Sequence, residues 1–161
     1  MDPIGDFLHN SRKDYNLNRL DEESVLDNPI LQFGKWMEES IEAGIHEPNA
    51  MNLATVSDDG KPSSRIVLLR SFDEKGFVFY TNFNSRKGSD LSKNNNAALN
   101  FFWPELHRQI RIEGAIHKVD AATSDRYFSS RPRESQIGAW VSDQSGVLRS
   151  RTDLDQSLET F

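Results

Sequence analysis

Two short strings near the middle of the chain hold the residue types that bind phosphate. Arg65-Ile-Val-Leu-Leu-Arg70 is an apolar run closed at each end by a cation, and Ser85-Arg86-Lys87-Gly88 sets two adjacent cations after a serine. The first is too short for a helix and rich in branched residues, so it reads as a buried strand. Asp73-Glu-Lys-Gly76 is a turn ending in glycine, which makes Phe77-Val-Phe-Tyr80-Thr81 the returning strand of a hairpin. The chain then leaves the sheet through Asn82 and Asn84, and Ser85 caps a short helix with Arg86 and Lys87 in its first turn. Exposed amides at a helix start, with two cations beside them, suit a phosphorylated ligand. Two cations on a turn are equally what a solvated surface shows, so charge alone leaves both readings open.

These strings must be positioned by the elements around them. Asp2-Pro3 and Asn28-Pro29 are both a cap followed by proline, opening amphipathic helices over residues 3–14 and from Pro29 to a stop at Gly44. Ile30, Phe33, Met37 and Ile41 form the apolar stripe of the second helix, with Trp36 read as core; residues 16–27 are an acidic linker. From Asn49 the period becomes that of a sheet. Strands are expected over Ala50–Ser57, Pro62–Ser71, Phe77–Thr81, Ala97–Trp103 and Arg108–Lys118, with Asp58-Asp-Gly60 and Pro104-Glu-Leu-His107 as turns. Asp120 caps a helix containing Tyr127 and Phe128, Ser135–Val141 is another helical piece, and Thr152 starts one more. Five strands on short turns imply a small antiparallel barrel or sandwich with peripheral helices, an α+β fold.

With 161 residues the chain is expected to be one domain. It has no cysteine, which excludes disulfides, thiolate metal sites and thiol nucleophiles and fits a cytoplasmic protein. No apolar run approaches a membrane span, and the N-terminus lacks a signal peptide's pattern. The net charge of −6 is uneven: residues 1–60 carry 4 basic and 13 acidic side chains, residues 61–149 carry 14 and 9. A cationic middle within an acidic chain suits a small anionic ligand and argues against nucleic acid. His9, His46, His107 and His117 lack metal-ligand spacing, so no metal role is assigned.

Taken together, Arg65-Ile-Val-Leu-Leu-Arg70, Tyr80-Thr-Asn82, Ser85-Arg-Lys-Gly88, Arg108-Gln109, the run from Tyr127 to Trp140 and Ser142-Asp-Gln-Ser145 resemble the pyridoxamine 5′-phosphate oxidase family. The resemblance runs from about Arg12 to the end of the chain. It implies an FMN-binding split β-barrel that forms a homodimer, with the cofactor in clefts at the interface. It implies that Arg65, Ile66, Val67, Leu68 and Leu69 lie along the flavin and that Tyr80 and Thr81 touch it. It further implies that Arg86 and Lys87 hold the FMN phosphate, and that Gln109, with Gln144 and Ser145 from the partner subunit, completes the cofactor contacts. Tyr127, Arg131 and Ser135 match the group that binds the vitamin's phosphate, and Arg12 and Tyr15 a segment that folds over the substrate. Read locally, Arg131 also suits a helix C-cap, Tyr127 a core position and Gln144-Ser145 plain surface.

The chemistry implied is transfer of a hydride equivalent from the substrate's C4′ to flavin N5, with oxygen reduced to hydrogen peroxide. Pyridoxamine or pyridoxine 5′-phosphate becomes pyridoxal 5′-phosphate, with ammonia released from the amine. Arg70 stands where many relatives have lysine, which keeps the charge but changes the shape of the phosphate contact. The family pattern continues beyond position 161 with further cofactor and substrate residues, so this polypeptide alone is expected to bind FMN weakly and turn over slowly. Three functions stay open on sequence: an oxidase of B6 vitamer phosphates, a non-catalytic split-barrel binder of flavin or pyridoxal phosphate, and a different flavin reductase on the same fold.

Overall fold

The computed structural model describes residues 2–12, 14, 20–141 and 144–147. They fall into two compact units: residues up to Pro48 with Phe102–Gln109, and Asn49–Phe101 with the residues from Ile110 on. Among the described residues, five helices and six strands run in the order α1 (Pro3–Asn10), α2 (Pro29–Glu42), β1 (Ala50–Val56), β2 (Pro62–Leu68), β3 (Ser71–Asp73), β4 (Gly76–Val78), α3 (Arg86–Lys93), β5 (Asn96–Trp103), β6 (Arg108–Ala115), α4 (Ala121–Ser130) and α5 (Arg133–Val141). A 3-10 turn, Pro104–Leu106, links β5 to β6. None of the described helices is long and apolar enough to cross a membrane. The helix expected from Thr152 lies outside the described residues.

In the first unit, the Asn28 side chain accepts hydrogen bonds from the amides of Ile30 and Leu31, and Pro29 occupies the first helical position. Gly44 ends the segment at φ +69°, a conformation that favours glycine. Phe33 and Met37 are buried and Phe33 packs against Trp103, whose indole N–H bonds the Pro48 carbonyl at 2.9 Å. The expected stripe needs two corrections. Ile41 is exposed, because the inward position in the last turn goes to Ser40, whose hydroxyl bonds the Trp36 carbonyl. Trp36 is only half-buried and carries the Arg108 guanidinium 4.9 Å above its ring, so it is a platform for a cation.

The antiparallel sheet is present, as expected for the fold class, but among the described residues its strands do not close into a ring. A four-stranded sheet has the order β2-β1-β5-β6, and β3-β4 stand as a separate pair. The expected strand Pro62–Ser71 is broken after Leu68. The Leu69 amide bonds the Asn49 carbonyl, and the Asn49 side chain donates to the Leu69 carbonyl. The Arg70 amide instead turns to the Val78 carbonyl, opening the second hairpin. Arg65 to Leu68 therefore pair with β1, not with Phe77 and its neighbours; the hairpin over Asp73-Glu-Lys-Gly76 is formed by Ser71–Asp73 and Gly76–Val78. The β1 face made by Met51, Leu53 and Thr55 is buried, joined by Val67, Leu69, Leu99 and Phe101.

Candidate functional site

The register across β1 and β2 sets the site. Met51 lies opposite Val67, Leu53 opposite Arg65 and Thr55 opposite Ser63, so one face passes from apolar to polar along its length. Helix α3 packs on β1. Its cap forms as local sequence predicts: Ser85, fully buried, accepts from the Gly88 amide. Gly88 is required there, since a Cβ would fall well inside contact distance of the Phe83 carbonyl. Lys87 and Asp90, one helical turn apart, are both buried and face the sheet.

Ser63, Ser64, Arg65, Ile66, Arg86, Lys87, Gln144 and Ser145 line a cleft of about 380 Å³. Lys87 is only 8% exposed, yet its hydrogen-bond partners among the described residues are both neutral: Ser85 Oγ at 3.2 Å and Gln144 Oε1 at 2.8 Å. Burial pushes its ammonium below the ordinary lysine value, and the Arg65 charge acts in the same direction. Burial also lowers Arg65; Asp90 opposes that shift and Arg86 adds to it. Among the described residues, three cations line the cleft and one carboxylate, Asp90, lies beside it, its Oδ2 3.9 Å from Arg65 Nη2. The surplus of about two charges matches a phosphate monoester near pH 7. Thr81 adds a further indication of a ligand, because its hydroxyl oxygen is buried without a partner among the described residues.

Of the residues expected to bind a second phosphate, Tyr127 and Arg70 meet at a ring stack. Tyr80 and Tyr127 lie face to face, with centroids 3.6 Å apart and planes 4° from parallel. Arg70, exposed, holds its guanidinium 5.8 Å from the Tyr127 centroid. Arg131 is the C-cap of α4, the role local sequence allowed it, and its guanidinium lies 5.7 Å from the Phe128 ring. Ser135 is half-buried in α5.

Other expected contacts fall elsewhere. Val67 and Leu69 are core side chains, and both backbone polar groups of Leu69 are engaged with Asn49. Leu68 is half-buried at the end of β2. Gln109 lines a hollow of about 400 Å³ in the first unit, with Trp36, Glu39 and Arg108 among its walls. Arg12 is exposed; Tyr15 lies outside the described residues. Gln144 and Ser145, expected from a partner subunit, line the cleft in this chain, where Gln144 reaches Lys87. Sequence reasoning missed Ser63, Thr55 and Asp90. Alternation along β2 was the available signal for Ser63, which shares a face with Arg65.

A model of the pyridoxamine 5′-phosphate oxidase family matches residues 37–160. The chain is 54% identical over 150 residues to a pyridoxine/pyridoxamine 5′-phosphate oxidase of Nostoc sp. (strain PCC 7120), covering 93% of this chain and 70% of that relative. It is 53% identical over 161 residues to the enzyme of the same name from Acaryochloris marina, covering 100% of this chain and 74% of the other. Among solved structures it is similar to PhzG from Burkholderia lata in complex with tetrahydrophenazine-1-carboxylic acid, at TM-score 0.83 and 28% identity over 89% of this chain and 72% of that one. An FMN-binding protein of Nostoc punctiforme shares the fold at TM-score 0.62 and 15% identity, over 81% of this chain and 73% of the other. The chain belongs to the pyridoxamine 5′-phosphate oxidase family.

Proposed function

We propose that this chain carries the FMN and substrate sites of an oxidase that converts pyridoxine or pyridoxamine 5′-phosphate to pyridoxal 5′-phosphate, consuming O2 and releasing H2O2. The observation that carries the reading is Lys87, a buried cation with neutral partners in a cleft whose surplus charge suits a phosphate ester. FMN is the cofactor expected of the family, and when bound it supplies the redox chemistry, taking the hydride equivalent and passing electrons to O2. Arg65, Arg86 and Lys87 would hold its phosphate, with Thr81, Ile66 and Ser145 beside it. Val67, Leu68 and Leu69 would back the site from the core side, and Gln144 would exchange its bond to Lys87 for one to the ligand.

The protein's own task is to place and hold the substrate. Arg70, Arg131 and Ser135 would bind the vitamin's phosphate with Tyr127, whose ring is fixed by Tyr80; Arg12 and Tyr15 would cover it. Locking the phosphate end converts a free encounter into a positioned one, which is where rate is gained when a cofactor does the bond-breaking. Arg70 offers a planar fork to that phosphate, so Arg70→Lys is expected to shift KM more than kcat. A homodimer is part of this proposal.

PhzG, bound to an aromatic acid without phosphate, marks the competing substrate class. The test is peroxide release by the FMN-loaded protein with pyridoxine 5′-phosphate, pyridoxine and a dihydroaromatic acid in parallel. The expected result is a kcat/KM at least roughly 100-fold higher for the phosphate ester than for pyridoxine. Equal rates for both, or flavin binding with no peroxide from any substrate, would overturn the proposal in favour of another oxidase or a binder.

A further inference from the structure

Beneath the cleft, a guanidinium and a carboxylate are joined mainly through two hydroxyl groups. Arg65 Nη1 donates to Thr55 Oγ1 at 2.8 Å and to the Leu53 carbonyl at 3.2 Å, while Nη2 donates to Ser63 Oγ at 2.7 Å. Those hydroxyls point their protons onward: Thr55 Oγ1 to Asp90 Oδ2 at 2.8 Å and Ser63 Oγ to the same oxygen at 3.2 Å. The direct Arg65–Asp90 separation is 3.9 Å, too long for a hydrogen bond. Because a guanidinium only donates and an ionised carboxylate only accepts, the proton of each hydroxyl is fixed between them. Arg65 spends three of its five N–H groups on these contacts. The remaining N–H groups belong to Nη2 and Nε, on a group that lines the cleft.

We infer that Asp90 is a positioning residue for the cofactor phosphate: acting through Thr55 and Ser63, it holds the Arg65 fork in the orientation that grips the anion. The inference rests on the proposed FMN site and adds to it a residue that touches no ligand. It also runs against charge counting. Asp90 is a negative charge, 6% exposed, behind a phosphate site, so removing it makes the cleft more positive. On electrostatics alone, Asp90→Asn tightens anion binding. On the positioning argument it weakens binding, because a neutral amide oxygen accepts the two hydroxyl protons more weakly than a carboxylate oxygen does, and the charge-assisted chain that holds the Arg65 fork is lost.

The experiment is titration of the protein with FMN and with riboflavin, read by flavin fluorescence, alongside the melting temperature of the flavin-free protein. For Asp90→Asn the expected result is FMN affinity lowered about tenfold or more with riboflavin affinity changed less than about threefold. Asp90→Glu should recover part of the loss. Ser63→Ala, at a half-exposed strand position, removes one bridge and carries the test if Asp90→Asn does not fold. Tighter or unchanged FMN binding by both variants overturns the inference, as does equal weakening of FMN and riboflavin in step with a lower melting temperature, which marks a purely structural role. Failure of the unaltered protein to prefer FMN over riboflavin would instead sink the proposed cofactor site itself.

Discussion

Lys87 keeps an ammonium from water with neutral hydrogen-bond partners alone among the described residues, and such burial costs free energy that a fold rarely tolerates without a use. A phosphate ligand supplies the missing counter-charge. Lys87→Met keeps the apolar stem and removes the charge, so FMN affinity should fall by roughly 10- to 100-fold while the flavin-free protein melts no lower. Folding lowers the Lys87 pKa, so the folded state holds this proton less tightly than the unfolded chain. That destabilisation is full below the folded value and fades as pH rises through it toward the ordinary lysine value. Binding should show the matching profile. FMN affinity is highest above about pH 6, where the phosphate is doubly ionised, and declines on the alkaline side before the ordinary lysine pKa is reached. An affinity that stays flat across the alkaline range would show that Lys87 does not contact the phosphate.

Helix α3 is where element and site meet, because the residues that cap it also frame the cleft. Ser85→Ala removes the cap and the Lys87 contact, and about 1 kcal/mol of stability should go with it. Gly88→Ala forces the first turn off the Phe83 carbonyl and should cost about 1–3 kcal/mol with a parallel loss of FMN affinity. Thermal melts and flavin titrations of both variants check this; a Gly88→Ala protein that binds FMN normally would mean the turn has room to spare. Cap chemistry is local, which is why Ser85, Asp120, Asn28 and Asp2 were legible as helix starts. The break after Leu68 was not. The residues on either side read as one strand, and the partner that stops it, Asn49, lies twenty positions back in the chain. Asp90 was hidden for a related reason: the buried face of α3 is polar, so no apolar periodicity marks it.

Across the whole chain, the cationic stretch from residue 61 onward supplies Arg65, Arg70, Arg86, Lys87 and Arg131, while the acidic first 60 residues supply only Arg12 and Tyr15, proposed to cover the substrate. The family was readable because several strings keep its order, and the cleft because adjacent cations follow a cap. The open sheet was not readable, since strand count does not fix closure. Large apolar side chains also stay at the surface: Ile66 is 65% exposed and Trp140 71%. The proposed homodimer accounts for them, and the protein should elute at about twice its 18.4 kDa chain mass, with Ile66→Lys shifting it toward the monomer. Elution as a monomer at micromolar concentration would remove that account.

The amide of Gln144 against Lys87 has a consequence for entry of the anion. A neutral group can be exchanged for a phosphate oxygen without breaking an ion pair, so the full attraction between ammonium and ester remains available to the newcomer. Gln144→Glu, a change of one atom type, would lock the doorway with a salt link. The resulting protein should be more heat-resistant when empty and should take up less added FMN, read as flavin absorbance retained after desalting.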